Sequence, residues 1–399
     1  MTHSPGLLEC DVLIVGAGPV GAALGAALAE LPLRTVLADA RPADDPGPPR
    51  TIALTAGALR IFSGLRADVP GAPIVKVHVS DQGHFGRVVL DAAQAGVPEL
   101  GRVSTEPALR APLLARATAQ RLMPARVHAL EQTPDAAIAR FTAPDGLETA
   151  VRARLVLAAD GTDSATCTLA GLRLRERDTA TAALVGALRT RQPHAGAAYE
   201  RFTDTGPVAL LPGLEPDLRH FVWTLPLERA QRLAGIGAHL LTLLAQRFGQ
   251  RAGQFTALEG SALFPLRDAH RPVRAGRVLA VGNAAHTLHP VAAQGFNLGL
   301  RDVAVLADHL ARAARAGQDV GSAPVLDGYI AARRADWLTA RAFTRALPSL
   351  FAEQTPPLVL GRSAGLTALA VLPGAARAFA RAAMGLRRPR SALQRGLTP

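Results

Sequence analysis

The chain has 399 residues, 49% of them apolar and 19% charged, with a formal net charge of +12. This composition supports a packed core, excludes a disordered or fibrous chain, and at this length predicts two or three domains. Lys76 is the only lysine among 44 basic residues, so the positive charge reflects a chain-wide arginine bias, and a low aromatic content of 4% argues against a nucleic-acid partner. Cys10 and Cys167 form no disulfide framework, which predicts a cytoplasmic protein.

An uncharged apolar run from position 12 to 29 is the first feature near the N-terminus. Its length would suit a membrane helix, but glycines and Pro19 interrupt it, and no positively charged segment precedes it as in a signal peptide. We predict instead a short buried strand, Asp11–Val15, followed by an alanine-rich helix, Val20–Leu31, that packs closely on it.

The turn between these two elements, residues 16–21, reads GAGPVG and is therefore a GxGxxG motif. Gly16 permits the tight turn, Gly18 lets a pyrophosphate approach the backbone, and Gly21 lets the helix and strand pack closely. The helix N-terminus presents free N–H groups and the positive end of its dipole to the phosphates. The motif predicts a dinucleotide site, and a tight turn without a nucleotide is the alternative.

A second predicted strand, Thr35–Ala38, ends at Asp39, which lies 18 residues beyond Gly21. A carboxylate about 20 residues after the glycines is the group that binds a ribose hydroxyl in this type of fold. Arg41 follows the acid, and two interpretations stay open for it: a contact to the adenine or ribose, or a solvated loop residue.

Two later segments return to a nucleotide fold and favour FAD over NAD. The strand Val156–Asp160 runs into ADGTDS (159–164), and the strand Arg277–Val281 runs into GNAAH (282–286) and HPVAAQGFNLGLRD (289–302). Small residues from Ala292 to Gly299 let the backbone approach a flat ligand. The helix that begins there offers N–H donors to a ring that becomes anionic when it is reduced.

These motifs resemble those of the FAD-dependent aromatic-ring monooxygenases of the para-hydroxybenzoate hydroxylase class, and the resemblance covers essentially the whole chain. Residues 80–86 (SDQGHFG), 198–202 (AYERF) and 206–212 (GPVALLP) resemble the ubiquinone-biosynthesis hydroxylases within that class. Asn283 stands where most of the class has aspartate. It is typical of the branch that hydroxylates 2-octaprenyl-6-methoxyphenol.

The resemblance implies a monooxygenase that uses FAD, O2 and NADPH or NADH. The nicotinamide would reduce the flavin, O2 would add at flavin C4a, and the hydroperoxide would hydroxylate an activated phenol ring. The implied substrate is a polyprenylated phenol of the 2-octaprenyl-6-methoxyphenol type, handled by the enzyme alone or within a ubiquinone-biosynthesis complex. We expect no metal, because His286 and His289 have no third ligand at a suitable spacing.

Most of the predicted site residues also come from the resemblance. They are cofactor-binding residues: Gly16, Gly18, Pro19, Gly21, Asp39, Arg41, Arg50, Asp160, Gly161, Asn283, Pro290, Gln294, Gly295 and Asn297. Asp160 is expected at the pyrophosphate, Asn283 on the ribitol side, and Gln294 beside the isoalloxazine. His84 is a candidate proton relay to the phenol, with a satisfied surface histidine as the alternative.

Two positions depart from the family pattern. Ala293 stands where a glycine usually precedes the Gln-Gly pair, and it adds a methyl group beside the flavin. Cys167 stands where the DGxxSxxR pattern has arginine, so a usual charge contact is missing, and we interpret the cysteine as a small buried residue. These departures leave open a catalytically weak FAD-binding subunit of the ubiquinone assembly. A further alternative is the same flavin chemistry on a different aromatic substrate.

The predicted fold is α/β, with a GxGxxG Rossmann-like FAD domain, a discontinuous β-sheet substrate domain and a helical C-terminal region. The predicted limits are 9–73, 101–175 and 272–345 for the FAD domain, 74–100 and 176–271 for the substrate domain, and 346–399 for the C-terminal region. Within the substrate domain we predict a hairpin, a meander over 182–224, a helix over Leu227–Phe248 and a returning strand, Gly260–Pro265. Its sheet would cover the flavin, and the substrate pocket would lie at the interface of the two domains.

The last 46 residues contain no acid and seven arginines: Arg362, Arg377, Arg381, Arg387, Arg388, Arg390 and Arg395. Arg377 and Arg381 share one face of a predicted helix, while Phe379, Ala383 and Leu386 share another. A basic amphipathic helix suits an anionic membrane surface, and a polyprenylated substrate is found in the bilayer. We therefore predict peripheral contact with the inner face of the cytoplasmic membrane. The alternative is a helix docked on the FAD domain with solvated arginines.

Overall fold

The computed structural model describes residues 6–288, 294–353, 355–372, 374–386 and 391–399. Its strands in chain order are β1 Gly6–Val15, β2 Thr35–Ala38, β3 Thr51–Thr55, β4 Ala72–Ile74, β5 Lys76–Asp81, β6 Arg87–Asp91, β7 Gly101–Thr105, β8 Gln120–Leu122, β9 Arg126–Gln132, β10 Ala137–Thr142, β11 Glu148–Ala158, β12 Arg175–Thr190, β13 Ala197–Phe202, β14 Val208–Pro212, β15 Leu218–Pro226, β16 Phe255–His270, β17 Arg274–Ala275, β18 Val278–Ala280 and β19 His286–Thr287. Its helices are α1 Pro19–Leu28, α2 Ala56–Gly64, α3 Ala92–Ala95, α4 Glu106–Arg116, α5 Ala165–Leu169, α6 Leu227–Ala234, α7 Gly237–Phe248, α8 Gln294–Arg315, α9 Ala323–Ala352, α10 Pro356–Val371 and α11 Ala375–Ala383.

The first sheet has the N-terminal strand near its centre, in the order β17-β18-β11-β1-β2-β8, with β10 and β9 continuing from β11. Strands β18, β11, β1 and β2 run parallel to one another. The apolar end of β1, from Val12 to Val15, is buried, as strands covered on both faces require. Pro19 is the first residue of α1, where its missing backbone N–H costs nothing because that position has no hydrogen-bond partner within the helix. The uncharged run near the N-terminus is thus a core strand and a core helix, as predicted.

The second sheet has eight strands in the order β19-β16-β12-β15-β14-β13-β5-β6. Strand β13 pairs with β5 in parallel, which brings the early hairpin β5–β6 beside strands from more than 100 residues later. Helices α6 and α7 pack on one face, where Leu240 and Leu244 meet Phe221 and Trp223. The other face contacts α10 and α11. Both faces are therefore covered, which accounts for apolar side chains at successive positions of these strands.

A smaller antiparallel sheet joins β3, β7 and β4. Its strand β3 leads directly into α2, whose first turn is capped by the Thr55 hydroxyl accepting from the Ala58 amide at 3.3 Å. Helices α1, α2, α4, α8 and α9 share the largest apolar cluster with the first sheet. This cluster packs the start of α8 against β3.

Several predicted elements differ from the structure. The helix predicted over 227–248 is two helices, because the chain leaves the helical path at Gly235–Ile236. Strands β12 and β16 are longer than predicted, since their charged ends pair with each other through Arg175 and His270. Helix α9 continues through the predicted boundary at position 345, and a break between α9 and α10 suits the C-terminal region better. The domain limits otherwise stay a prediction.

Within the described ranges, no single helix is both long and apolar enough to cross a membrane. Helices α10 and α11 together reach the length and composition of a span, but the chain bends by 104° between them.

Candidate active site

Four neighbouring parallel strands end at one edge of the first sheet. Val15 pairs with Ala38 on one side and with Ala158 on the other, and Ala158 pairs with Ala280. Because these residues are in register, the loops that follow them meet at the carboxyl edge, where open α/β sheets bind ligands. Those loops are the four segments singled out from the sequence, starting at Gly16, Asp39, Ala159 and Val281. The structure therefore brings the predicted cofactor segments together.

The glycine-rich turn is packed on one side and open on the other. Gly16 has a φ of +102°, and a Cβ there would lie 2.5 Å from the carbonyl carbon of Ala159. A Cβ on Gly21 would lie 1.7 Å from the carbonyl oxygen of Gly16. A Cβ on Gly18 would meet no atom within 4 Å, so this position borders open space. The turn therefore has the shape that a pyrophosphate requires, with bare backbone beside a helix N-terminus.

The predicted ribose-binding carboxylate stabilises this turn from within. Asp39 is buried, and its side chain accepts hydrogen bonds from the amides of Ala17 at 2.5 Å and Arg41 at 2.8 Å. The Nε atom of Arg41 lies 3.5 Å from the same carboxylate, and a Cβ on Gly47 would lie 2.6 Å from the Arg41 guanidinium. Arg41 is thus held over the loop beside Asp39, in contrast to a freely solvated side chain.

Arg110 on α4 is a residue of this site that the sequence analysis missed. Its Nε donates to the Ala17 carbonyl at 2.7 Å, and its Nη1 donates to the Asp45 carbonyl at 2.6 Å. Its Nη2 is buried and has no hydrogen-bond partner among the described residues. An unsatisfied guanidinium N–H beside the glycine-rich turn is the kind of donor that a phosphate completes. The available signal was an arginine in the buried stripe formed by Leu109, Leu113 and Leu114.

The loop that starts at Ala159 is held by Asp160. Its carboxylate accepts from the Ser164 hydroxyl at 2.5 Å and from the Thr166 amide and hydroxyl at 3.1 and 2.9 Å. The carboxylate therefore fixes the start of α5, while the following Gly161, with a φ of +88°, borders open space. This arrangement gives Asp160 a loop-shaping role and leaves the exposed backbone at Gly161 to face a ligand.

An arginine from a distant segment contacts the loop around Cys167. Cys167 is fully buried, and burial raises the pKa of its thiol, so it is an inert packing residue as expected. Arg271, which is also buried, donates to the carbonyls of Thr162 and Leu172 on either side of the cysteine. Its guanidinium lies close enough to Cys167 to oppose the rise in the thiol pKa. The loop thus has a buried arginine beside it, although position 167 is a cysteine.

The start of α8 lies against the loop that starts at Val281. A Cβ on Gly295 would lie 3.9 Å from Oδ1 of Asn283, whose side chain is exposed, so these two predicted residues are adjacent. Asn297 is buried and accepts from the Thr55 amide at 2.9 Å, while its Nδ2 donates to the Ala53 carbonyl at 2.9 Å. Its amide therefore ties α8 to β3, which places Gln294, the first residue of α8, at the wall of a cavity. Pro290 and Ala293 lie outside the described residues.

The roles of two predicted site residues, Arg50 and His84, stay predictions. The side chain of Arg50 is exposed, and its carbonyl accepts from the Glu106 amide at 2.9 Å. His84 lies in the turn between β5 and β6, and it is not among the residues that line the cavity described next. Gly83 and Gly86, both with positive φ, turn the chain there, so the histidine lies at the sheet's end and not on its cavity face. The proton-relay expectation for His84 therefore has no geometric support.

His286 is buried at the junction of the two sheets. Its β19 strand pairs with β16, where His286 lies opposite His270. Burial, with Arg341, His270 and Arg333 nearby, lowers the pKa of His286 to about 3, so its ring is neutral. Within the described ranges, no group of three or more histidine, cysteine, aspartate or glutamate side chains could hold a metal ion.

A cavity of about 630 Å³ lies between the second sheet and helices α9, α10 and α11, and it reaches the start of α8. Its walls are almost wholly apolar: Val77, Val79, Val88, Leu90, Phe202, Leu211 and Val222 from the sheet, and Phe343, Leu347, Phe351, Leu366, Leu369, Phe379 and Met384 from the helices and the segment after α11. Ala53, Thr55 and Gln294 form the end beside the cofactor loops. Glu200 and Arg362 are the charged residues among the lining.

A nucleotide-binding sheet edge that opens into an apolar cavity under a second sheet defines a flavoprotein monooxygenase, and the chain is an FAD-dependent enzyme of this class. It belongs to the FAD-binding monooxygenase family, because the family model described as FAD binding domain matches residues 9–341. The chain is 37% identical over 396 residues to the ubiquinone hydroxylase UbiL of Rhodospirillum rubrum, covering 94% of this chain and 89% of that protein. It is 32% identical over 387 residues to the 3-demethoxyubiquinol 3-hydroxylase of Escherichia coli, covering 92% and 95% of the two chains.

Solved structures share the fold. The p-nitrophenol 4-monooxygenase PnpA from Pseudomonas putida superposes with a TM-score of 0.76 at 19% identity, covering 96% of this chain and all of that one. PqsL from Pseudomonas aeruginosa, described as a probable FAD-dependent monooxygenase, superposes with a TM-score of 0.73 at 22% identity, covering 90% and 99% of the two chains. At these identities the likeness establishes the α/β architecture that the sequence predicted.

Proposed function

We propose that this enzyme hydroxylates the aromatic ring of a polyprenylated phenol in ubiquinone biosynthesis, with NADPH or NADH as the reductant. The observation that carries the proposal is the apolar cavity of about 630 Å³, which is within the range of ligand pockets but has almost no polar wall. A small polar phenol would leave most of that wall uncovered, whereas a prenyl tail would bury it. The two relatives named for ubiquinone hydroxylation support the same assignment. A phenol of the 2-octaprenyl-6-methoxyphenol type remains our prediction for the substrate.

The cofactor loops would hold FAD along the sheet edge. Bare backbone at Gly18 and Gly161 would face the pyrophosphate, with Arg110 supplying the free N–H described above. Asp39 would accept a ribose hydroxyl while it keeps the turn in shape. When bound, the flavin supplies the redox chemistry and the activation of O2.

The ring end of the cofactor would lie where α8 begins. Asn297 holds this helix to β3, so the backbone of Gly295 and the side chain of Gln294 would be fixed beside the isoalloxazine. The cavity opens at the same place, which would put the phenol ring beside the flavin and the tail among the apolar helices. The apolar walls would exclude water from the reacting ring.

A tail-length series tests this proposal. Each buried methylene contributes about 0.8 kcal/mol, so KM should fall steeply with each added isoprene unit until the cavity is full. Ala380→Phe, in the helical part of the cavity wall, should abolish turnover of long-tailed phenols and spare a tail-less phenol, whereas Ala238→Phe on the exposed surface of α7 should change neither. Equal kcat/KM for tailed and tail-less phenols would refute a prenylated substrate.

The surface beside the cavity suits contact with an anionic bilayer, which we propose as the route of substrate entry. Helix α10 exposes an apolar face, with Leu360 and Val371 at 59% and 68% exposure. Leu358, on the opposite side of the same helix, lines the cavity, so α10 forms the wall between the cavity and this exposed face. Arg377 on α11 is exposed nearby in sequence and adds positive charge.

The structure changes which residues form that surface. Arg362 is buried and paired with Asp81, so it does not contribute surface charge. Phe379 of α11 lines the cavity, and Leu386 beyond that helix is buried, so the apolar side chains predicted for membrane contact are turned inward. Arg387, Arg388 and Arg390 lie outside the described residues. The exposed apolar residues come instead from α10.

Vesicle flotation tests the membrane contact. The protein should float with vesicles that contain anionic lipid, and Leu360→Glu with Val371→Glu should abolish flotation. Leu214→Glu, at an exposed leucine remote in sequence, should float normally. If the double variant Leu360→Glu, Val371→Glu floats like the native protein, α10 does not form the membrane contact.

A further inference from the structure

Glu200 is placed by strand geometry on the cavity face of β13. Side chains alternate along a strand, and Phe202, two residues on, is in the cavity wall with Glu200 itself. Tyr199 also borders the cavity, but the polar groups of the two side chains that flank Glu200 are bound elsewhere. The Tyr199 hydroxyl donates to the Arg251 carbonyl at 2.8 Å, and Arg201 donates to the Ser80 hydroxyl at 3.1 Å.

The Glu200 carboxylate faces apolar neighbours. Its partners across the strands are Val79 on β5 and Ala209 on β14. Neither the other strands nor α8, α9 and α11 place an ionisable side chain in the cavity wall among the described residues. On α10, Arg362 lines the cavity, but its Nε is committed to Asp81 at 2.7 Å. No described residue makes a hydrogen bond or ion pair with the Glu200 carboxylate.

An unpartnered carboxylate in such a place is costly, because a charge loses its hydration there without gaining a counter-ion. Burial raises the pKa of Glu200 to about 7. The group can therefore both hold and release a proton near neutral pH. Perturbed carboxyls of this kind, within the cleft that receives the substrate, are typical of groups that act on it.

We propose that Glu200 is a catalytic residue that binds the phenolic hydroxyl of the substrate and accepts its proton. In this step the phenol O–H bond breaks, its electron pair stays on the phenolic oxygen, and a new O–H bond forms on a Glu200 carboxylate oxygen. The ring becomes more electron-rich and is a better acceptor of an electrophilic oxygen atom. The assignment rests on the proposed phenolic substrate and extends it by naming the proton acceptor.

The chemistry of the two groups is well matched. A phenol has a pKa of about 10, and the rise of the Glu200 pKa from 4.5 to about 7 roughly halves the difference between donor and acceptor. A smaller difference makes proton transfer within the complex easier. The transfer also leaves the net charge of the cavity unchanged, which suits an apolar enclosure.

Glu200→Gln in the FAD-loaded enzyme tests the proposal, since it keeps the shape and removes the base. Product formation from a prenylated phenol should fall on the order of 10²- to 10⁴-fold, while FAD content and the affinity for the substrate stay near the native values. The native rate should rise with pH through about 7, and this rise should be absent from Glu200→Gln. Glu228→Gln, on the exposed surface of α6, should behave like the native enzyme.

A binding measurement independent of turnover gives a second readout. A prenylated nitrophenol that is already ionised at pH 8 needs no base and would be repelled by an ionised Glu200. Glu200→Gln should therefore bind this probe more tightly than the native enzyme does, the reverse of its effect on turnover of the weakly acidic phenol.

The outcomes separate the two proposals. A Glu200→Gln enzyme with native product yield, native pH profile and unchanged nitrophenolate affinity would overturn the assignment of Glu200. Failure of the native enzyme to bind or hydroxylate any prenylated phenol would instead reject the proposed function itself. If Glu200→Gln does not fold, the dependence of the native rate on phenol acidity decides: a base is needed only for weakly acidic phenols.

Discussion

Replacement of Arg362 by methionine should detach α10 from the second sheet and open the cavity. Arg362 and Asp81 form a buried ion pair at 2.7 Å, with side-chain exposures of 1% and 3%. The same guanidinium donates to the carbonyls of Leu350 and Glu353 at the end of α9, and it lies 5.6 Å from the Phe351 ring centre. One side chain therefore joins α10, α9 and β5.

The expected loss follows from what the substitution leaves behind. Removing one partner of a buried pair leaves an uncompensated charge and typically costs about 3–5 kcal/mol. The Asp81 carboxylate would be that charge here, because Arg362 is the only described ion-pair partner within 4.0 Å of it. Total stabilities of single domains are only about 5–15 kcal/mol, so the variant should be folded but markedly weakened.

Urea unfolding of Arg362→Met, Asp81→Asn and the double variant measures this coupling. The double variant should recover much of the stability lost in Arg362→Met, since no charge is then left unpaired. A looser α10 should also let water into the cavity, so NAD(P)H oxidation should continue with less hydroxylated product. A loss below about 1 kcal/mol for Arg362→Met would show that α10 is not held by this pair and would refute the reasoning.

Three further predictions follow from the site. Gly18→Val should fold normally, because its Cβ would meet no atom within 4 Å, yet it should be purified without FAD, as the absorbance spectrum would show; retained flavin would contradict the assigned pyrophosphate position. Arg110→Met should weaken FAD binding by about tenfold or more, equal to about 1.4 kcal/mol, in fluorescence titration. The pKa of Glu200 is raised from 4.5 to about 7 on folding, so its ionisation costs stability above pH 4.5 and fully above pH 7; Glu200→Gln should therefore be more stable than the native protein by up to about 3 kcal/mol at pH 8 and equal to it at pH 4 in thermal or urea unfolding.

Local signals predicted the cofactor segments well. The strand Thr35–Ala38 has the predicted bounds, and the turn at Gly16 is where the motif places it. Such segments are predictable because the apolar run, the glycines and the following acid lie within about 30 residues of one another. Once four such strands pair in parallel, the loops at their carboxyl ends lie together, so no long-range contact has to be predicted.

Long-range contacts could not be predicted in the same way. Arg362 pairs with a carboxylate 281 residues away, and Asn297 bonds to β3 across more than 240 residues. Neither pairing leaves a pattern in the sequence. The contact of Arg271 with the loop around Cys167 is of the same kind, since it depends on how the chain after β16 returns to the first sheet.

Glu200 is a case in which the sequence did contain a signal. Glu200 lies two residues from both Ala198 and Phe202, so the three side chains share one face of the strand. Ala198 and Phe202 are buried, so this alternation already places a glutamate on an apolar face. A charged residue on the apolar face of a strand is a useful indication of a functional site.

The most direct test of the central claim is the mass of the quinone precursor that accumulates when the gene is deleted in its host. We predict a polyprenylated phenol that lacks one ring oxygen, with normal ubiquinone restored by the native gene and not by a gene encoding Gly18→Val. An unchanged ubiquinone profile in the deletion strain would contradict the proposed function.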